Sequence, residues 1–212
     1  MRRSRLTPPR SSTARAVQFL RHRAGGYNLD AKAVAVTGGS SGADIALWLA
    51  FHDDLADPAS DDPVLRQSTR LACAGARDAQ TTLDLRVVNT LLQKEGFLNR
   101  PLLDLFGLRD DEIDTPRAFK LYEDGTAATH LTRDDPPVFL YYGFPNAPIT
   151  SDTPRAERSH HPVFGKYLKE RMDTVGVQCV LHFREDYADA GEEAPLRMNH
   201  DQVRFFLAHF PK

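Results

Sequence analysis

The stretch AVAVTGGSSGADIALWLAF, residues 33–51, decides the fold. Its first part, residues 33–37, is a short apolar run with β-branched side chains, which is typical of a buried parallel strand. Two glycines and two serines follow. Residues 43–51 are then almost wholly apolar, over a length too great for a second strand directly after a turn. The stretch therefore predicts a strand, a tight turn and a buried helix.

The turn matches the pattern GxSxG at Gly38, Ser40 and Gly42. Between a strand and a helix this pattern indicates a nucleophile, because a sharp turn lifts the serine hydroxyl above the sheet. Glycines at positions 38 and 42 let the turn close and a substrate approach. The first N–H groups of the helix have no partner within it, so we expect the amide of Ser41 to donate to an oxyanion.

Two other interpretations of this turn stay open. Glycines and serines at a strand–helix junction also act as a plain turn that caps the helix. They also bind phosphate, although the lysine of a P-loop is missing here and GxGxxG is not matched. A nucleotide-binding α/β domain is therefore kept as an alternative.

Composition narrows the class of protein. The chain has 212 residues, of which 41% are hydrophobic and 26% charged, as in an ordinary globular domain. A net charge of −2 gives no basic surface of the kind that nucleic acid requires, so no nucleic-acid partner is expected. No apolar stretch approaches the length of a membrane span, and none is expected.

The amino-terminal end is basic, with seven arginines and no acid in the first 23 residues. A transit peptide is an alternative, but Pro8 and Pro9 interrupt any amphipathic helix and no apolar signal core follows. We therefore expect residues 1–10 to be a disordered leader and residues 11–212 to form one domain. The chain has no recognisable signal peptide and is cytoplasmic as encoded, but its sequence does not fix the compartment.

The order of elements predicts an α/β fold. A helix at residues 11–24 precedes the first strand, and further strands are predicted at 71–75, 137–142 and 177–183. Leucine-rich segments between residues 85 and 122 predict several short helices, and two more helices follow, from Pro162 to Val175 and from His200 to Phe210. Alternation of this kind is typical of a mostly parallel sheet flanked by helices.

Much of this sequence resembles the α/β-hydrolase superfamily, specifically its esterase/lipase group with acetyl-xylan and feruloyl esterase-like members. The likeness rests on residues 14–63 with their GGSSGA turn, on HLTRDDPPVFLYYG (130–143), and on the segment 160–182. The family implies hydrolysis of carboxylic esters through an acyl-enzyme, with Ser40 as the nucleophile. About thirty residues precede the turn and no HGG oxyanion loop occurs, so the chain resembles the C-terminal part of the fold.

The resemblance also implies a chain order of serine, acid and histidine. Asp152 and Glu157 are the candidate acids in the loop after the third strand. Asp152 is preferred because a short side chain on a flexible loop can reach an imidazole. A solvated loop charge is the other interpretation. His200 is the candidate base, since it follows the fourth strand and precedes the predicted last helix, where it equally suits a helix cap.

No metal site is expected, and no cofactor is required. His160 and His161 form an adjacent pair, but no third ligand lies at a suitable spacing. Cys73 and Cys179 lie in apolar runs without the spacing of a metal motif and are predicted to be buried.

The sequence thus predicts a serine hydrolase for small or sugar-linked esters, with the insertion at 85–122 as a lid over the site. The alternative is a truncated and catalytically impaired homologue that acts as a fragment or binding module. If half the sheet is absent, the strand at residues 33–37 has an exposed edge, which favours self-association.

Overall fold

The computed structural model describes residues 7–93 and 99–211, with side chains from residues 10 and 100 onwards in these two ranges. Within them, four parallel strands form a sheet whose spatial order follows the chain order. This confirms the predicted α/β class with a parallel sheet of four strands. The strands are β1 Ala35–Gly39, β2 Cys73–Arg77, β3 Val138–Tyr142 and β4 Cys179–Phe183.

Eight α-helices in the described ranges connect and cover the strands. None of them is long and apolar enough to cross a membrane. The helices are α1 Thr7–His22, α2 Ser41–Phe51, α3 Leu85–Leu92, α4 Asn99–Phe106, α5 Pro116–Gly125, α6 Arg155–Ser159, α7 Val163–Val175 and α8 Ala194–His209.

The sheet has an apolar core on each face. Successive side chains of a strand point to opposite faces, and here Val138 and Leu140 join the larger core while Phe139 joins the smaller one. Helices α2 and α7 contribute to the larger core, and α8 contributes to the smaller one. Both cysteines are buried and unoxidised, as predicted. The sheet therefore separates α2 from α8.

Two helices begin earlier than the sequence predicted. Helix α8 begins at Ala194 rather than at His200, because Pro195 suits the first turn of a helix, where its missing N–H costs no hydrogen bond. Helix α1 begins at Thr7 with two prolines in its first turn. Residues 7–10 of the predicted leader are therefore helical, and residues 1–6 lie outside the described ranges.

Asp44 is an acidic residue in the otherwise apolar helix α2. Its carboxylate accepts a hydrogen bond from the backbone N–H of Gln80 at 2.8 Å, which ties α2 to the segment that follows β2. Burial raises the pKa of Asp44 to about 7, although the Gln80 hydrogen bond and the charge of Arg10 act in the opposite direction. The folded protein therefore holds a proton on this carboxyl at mildly acidic pH.

We predict that Asp44 by itself lowers the free energy of unfolding as the pH rises from about 4 to about 7, an effect measured as the difference between the wild type and Asp44→Asn. In this interval the unfolded carboxyl has lost its proton and the folded one keeps it, so the folded state binds more protons and loses stability with rising pH. Asp44 retains partial solvent contact, so we expect an effect of about 2 kcal/mol. Urea unfolding between pH 4 and 8 measures it.

Asp44→Asn should remove this pH dependence, because the amide oxygen still accepts from Gln80 but carries no titrating proton. Asp53→Asn, at an exposed position two residues beyond α2, is the matched control and should leave the dependence intact. Equal pH dependence in the wild type and in Asp44→Asn would contradict the assignment.

Candidate active site

Ser40 occupies the turn between β1 and α2. Its backbone has φ 51° and ψ −124°, a conformation that residues other than glycine rarely adopt. The Ser40 N–H donates to the carbonyl of Arg77 at 2.9 Å, and the Ser40 carbonyl accepts from the N–H groups of Ala43 and Asp44. The end of β2 and the first turn of α2 together hold this strained backbone in place.

The close fit of the turn depends on Gly38. A Cβ atom at this position would lie 2.4 Å from the carbonyl carbon of Gly42 and 2.9 Å from the nitrogen of Ala43. Both are backbone atoms of the α2 turn and cannot rotate away. A Cβ on Gly42 itself would meet nothing within 4 Å. The sequence predicted that both positions need glycine for the turn to close. The structure shows this requirement at Gly38 and not at Gly42.

We predict that Gly38→Ala lowers the free energy of unfolding by about 2 to 4 kcal/mol, because α2 must move away from β1 to admit the methyl group. Gly42→Ala is the matched control and should change it by less than about 1 kcal/mol, since the added methyl group has room. Urea unfolding of both variants tests this. Equal loss of stability in the two would contradict the steric argument.

The hydroxyl of Ser40 meets a histidine. Although Ser40 is the N-cap residue of α2, its side chain makes no capping hydrogen bond. Its Oγ lies 2.9 Å from Nε2 of His160 instead. The other ring nitrogen, Nδ1, lies 2.9 Å from the carbonyl oxygen of Ala156. A carbonyl only accepts, so Nδ1 carries the proton and Nε2 is free to accept from the serine.

Several contacts hold His160 at the end of α6. Its ring stacks on Phe144 with a centroid distance of 5.4 Å and an interplanar angle of 13°. The preceding residue, Ser159, accepts through its carbonyl from the side-chain amide of Gln80 at 2.9 Å. The backbone N–H of Gln80 also donates to Asp44 of α2. Gln80 therefore bonds both α2, which begins next to Ser40, and α6, which ends next to His160.

Arg158 fixes the loop in front of α6. Its side chain is 2% exposed and donates to the carbonyl oxygens of Thr150, Ser151 and Thr153. A buried guanidinium bonded to three carbonyls leaves the loop little freedom relative to the helix. Arg158 thereby stabilises the backbone from which His160 projects.

The structure places the candidate acids away from the imidazole's Nδ1 atom. Asp152 is exposed, and its carboxylate accepts from the hydroxyl of the adjacent Ser151 at 3.2 Å. Glu157 is half-buried in α6. Neither carboxylate is hydrogen-bonded to His160 within the described residues, and the carbonyl of Ala156 occupies the position that a triad acid would take.

His200 lies within α8 and not ahead of it. It is six residues past the start of the helix, is exposed, and lines a surface depression with Asp189, Glu193 and Arg197. Because α8 packs on the face of the sheet opposite to α2, the described side chains show no hydrogen bond between His200 and Ser40. The structure pairs Ser40 with His160 instead, so His200 is replaced as the candidate base.

Asp78 lies beside this pair at the end of β2. Gly39 is in register with Arg77, so the next residues along the two strands are Ser40 and Asp78. Asp78 also has a positive φ, 53°. Its Oδ1 accepts from the N–H of Gly143 at 2.7 Å. Burial raises the pKa of Asp78, while the Gly143 hydrogen bond and the charges of His160 and Arg77 oppose this rise.

Helices α4 and α5 of the insertion contribute to the larger core. Phe106 and Tyr122 are almost wholly buried in the larger core. Phe106 also lines a cavity of about 490 Å³ beside Trp48, which lies eight residues after Ser40 and about 12 Å along α2. The side chain of Ser40 remains exposed. Phe106 of the insertion therefore lies beside the C-terminal half of α2, and a lid formed by residues 85–122 stays a prediction.

His161 has a different environment from His160. Its Nε2 lies 2.9 Å from the carbonyl of Ala147, and its Nδ1 accepts from the N–H of Val163 at 3.1 Å. Both ring nitrogens are thus occupied by backbone groups. The described part of the chain contains no group of three or more His, Cys, Asp or Glu side chains arranged to hold a metal ion.

Sequence reasoning did not identify His160 because it took the histidine to follow the last strand. His160 lies between β3 and β4 and reaches Ser40 from the third strand's side of the sheet. The usable signal was the position of the His-His-Pro segment: it follows the loop at the carboxyl end of β3, the same edge of a parallel sheet at which the Ser40 turn lies.

Comparison with known proteins agrees with this fold. Residues 10–151 match the model of the family described as BD-FAE. No curated protein sequence matches the chain. Among solved structures, the acetyl ester-xyloside bifunctional hydrolase of Caldicellulosiruptor lactoaceticus aligns with a TM-score of 0.64 and 20% identity, over 93% of this chain and 66% of its own.

Two further solved structures are similar. A truncated carbohydrate esterase from gut microbiota aligns with a TM-score of 0.58 and 15% identity, over 80% of this chain and 57% of its own. The propionate-bound esterase Est2 of Thermogutta terrifontis aligns with a TM-score of 0.56 and 17% identity, over 94% and 65%. The chain thus spans between about half and two thirds of the length of these structures.

Proposed function

Because this chain belongs to the BD-FAE family, an α/β-hydrolase-type esterase family, we propose that it hydrolyses carboxylic esters with Ser40 as the nucleophile and His160 as the general base. The observation that carries the proposal is the 2.9 Å contact between Ser40 Oγ and His160 Nε2 on a strained strand-to-helix turn. A serine whose hydroxyl faces an imidazole acceptor is activated for attack.

The first half of the reaction forms an acyl-enzyme. Ser40 Oγ attacks the ester carbonyl carbon and its proton passes to His160 Nε2. The carbonyl oxygen becomes an oxyanion, which accepts from the backbone N–H of Ser41 at the start of α2. When the carbon–oxygen bond to the alcohol breaks, His160 returns the proton to the leaving oxygen, and the acyl group stays on Ser40.

The second half of the reaction releases the acid. A water molecule gives a proton to His160 Nε2 as its oxygen attacks the acyl carbon, and collapse of the second tetrahedral intermediate returns the proton to Ser40. The carbonyl of Ala156 keeps the proton on Nδ1 throughout, so Nε2 is always the atom that exchanges protons with Ser40. A buried carboxylate would stabilise the imidazolium more strongly than this neutral carbonyl.

We propose small or sugar-linked esters as substrates. Ser40 is exposed, so a bulky alcohol group has access to the site. Two of the similar structures are described as an acetyl ester-xyloside hydrolase and a carbohydrate esterase, which supports trying acetylated sugars. A p-nitrophenyl ester series and acetylated xylo-oligosaccharides are the corresponding assay substrates.

We predict that Ser40→Ala abolishes turnover of p-nitrophenyl acetate and also labelling by a fluorophosphonate probe, read by intact-protein mass. His160→Gln should lower kcat by about 10³ or more, because the serine loses its base. His200→Gln, in which an exposed histidine is removed from α8, is the matched control and should stay within about twofold of the wild type.

Two results would overturn the assignment. One is turnover by the wild type no higher than that of Ser40→Ala. The other is loss of activity in His200→Gln with activity kept in His160→Gln, which would restore the original choice of base. Circular dichroism should show that each variant is folded before its kinetics are compared.

The second candidate function is that of a catalytically impaired homologue that acts as a fragment or binding module. It is favoured by the extent of the alignments, which cover at most about two thirds of the similar structures. A missing oxyanion donor alone lowers turnover by about 10² to 10³. Turnover of the p-nitrophenyl series at the level of Ser40→Ala, in a folded wild-type protein, would favour this alternative.

The exposed edge of β1 supports a further proposal, that the chain associates with itself. Within residues 7–93 and 99–211, β1 pairs with β2 on one side only. The carbonyl of Val34 and the N–H of Ser40 point towards β2, so by alternation the backbone groups of Thr37 point outward. Unpaired groups of this kind accept another strand.

We predict that the protein self-associates with rising concentration in sedimentation velocity, and that Thr37→Pro weakens this association. Proline removes the outward N–H but no hydrogen bond to β2, as is tolerated at a sheet edge. A wild type that remains monomeric across the concentration series, or association that Thr37→Pro leaves unchanged, would contradict the proposal.

A further inference from the structure

Asp78 has no part in the mechanism above, yet its position relates it to both catalytic groups. It continues β2 at the level at which Ser40 continues β1, and its N–H donates to the carbonyl of Tyr141 at 2.9 Å. Its backbone has a positive φ of 53°, close to the 51° of Ser40. Two adjacent parallel strands thus end in strained residues with polar side chains at the same edge of the sheet.

The side chain of Asp78 holds the residue that precedes Phe144, on which the imidazole stacks. Its Oδ1 accepts from the N–H of Gly143 at 2.7 Å, and Phe144 follows directly in the chain. The ring of Phe144 lies nearly parallel to that of His160. The aspartate therefore fixes the backbone that supports one face of the imidazole.

The charge of Asp78 also acts on His160. The charge of the imidazole, like that of Arg77, lowers the pKa of the Asp78 carboxyl against the rise that burial causes. In the transition state His160 becomes positively charged. A nearby carboxylate in a partly buried site stabilises that charge more effectively than bulk water does.

We propose that Asp78 is a positioning residue for His160: it holds Phe144 under the imidazole through Gly143 and stabilises the imidazolium from the end of β2, a function that neither Asp152 nor Glu157 has the contacts to perform. This inference rests on the proposed function, because it assigns the group that assists the general base. The acid of this site thus comes from the second strand, and Ala156 supplies only the neutral acceptor at Nδ1.

Asp78→Asn separates the two parts of this role. The amide oxygen can still accept from Gly143, so the support under Phe144 remains and only the charge is lost. We expect kcat/KM to fall about tenfold. The loss should appear in kcat rather than in KM, because the imidazolium that Asp78 stabilises forms only in the transition state. Asp78→Ala, which also removes the acceptor, should lose more activity.

A second measurement does not depend on turnover. The His160 ring resonances, assigned by their absence in His160→Gln, are compared by NMR at one pH. We expect their chemical shifts to be kept in Asp78→Asn and displaced in Asp78→Ala, because only the second variant loses the acceptor that holds Gly143 and, through it, the stacked ring of Phe144. Asp173→Ala, which removes an exposed carboxylate from α7, is the matched control and should leave the shifts in place.

The results distinguish the two proposals. If the wild type has no turnover above Ser40→Ala, the proposed function fails, while the His160 ring shifts still decide whether Asp78 positions the imidazole. If turnover is present, kcat is unchanged in folded Asp78→Asn and the ring shifts are unchanged in folded Asp78→Ala, the inference about Asp78 is overturned alone. A larger loss of kcat in Asp152→Asn than in Asp78→Asn would also overturn it.

Discussion

The backbone contact between Gly38 and the first turn of α2 is the constraint on which the site depends. Because position 38 has no side chain, the carbonyl of Gly42 approaches the end of β1 at a distance that a methyl group would forbid. This approach forces the connecting residue, Ser40, into a positive φ. The resulting strain costs on the order of 1 to 3 kcal/mol. It is offset by the helix and strand hydrogen bonds that hold the turn, and it leaves the hydroxyl free of any capping role.

The remaining parts of the site follow from the parallel sheet. In such a sheet the carboxyl ends of all strands lie at one edge, so the segments that follow β1, β2 and β3 converge there. The first segment supplies Ser40, the second supplies Asp78, and the third supplies Phe144 and, after the loop, His160. Hydrogen bonds with backbone groups hold Ser40, Asp78 and His160, so the site has a defined geometry although Ser40 is exposed to solvent.

The outer edge of β1 is not covered by another described strand. Elements that face the larger core are buried, whereas β1 pairs on one side only among the described strands and carries the Ser40 turn at its end. The similar solved structures contain additional chain beyond the length matched here. The Ser40–His160 pair lies within this chain, and α2 begins beside it with the amide of Ser41.

Local pattern was enough to predict most of the fold. The apolar strand at residues 33–37, the glycines and the apolar helix are short-range features, and each has one favourable conformation. Alternation of strands and helices then limits the connections to right-handed crossovers, which predicts the parallel sheet. Boundaries were less certain: the extra turn and a half of α8 before His200 depends on Pro195, which also occurs in loops.

The choice of partner for Ser40 could not come from local pattern. The serine and His160 are 120 residues apart, and His200 has an equally suitable side chain. The sequence by itself determined the turn, the candidate nucleophile and the class of sheet, because these depend on neighbouring residues. Only the tertiary structure decided that α8 packs on the far face and that α6 turns His160 towards Ser40, because the packing of helices on a sheet depends on contacts between distant segments.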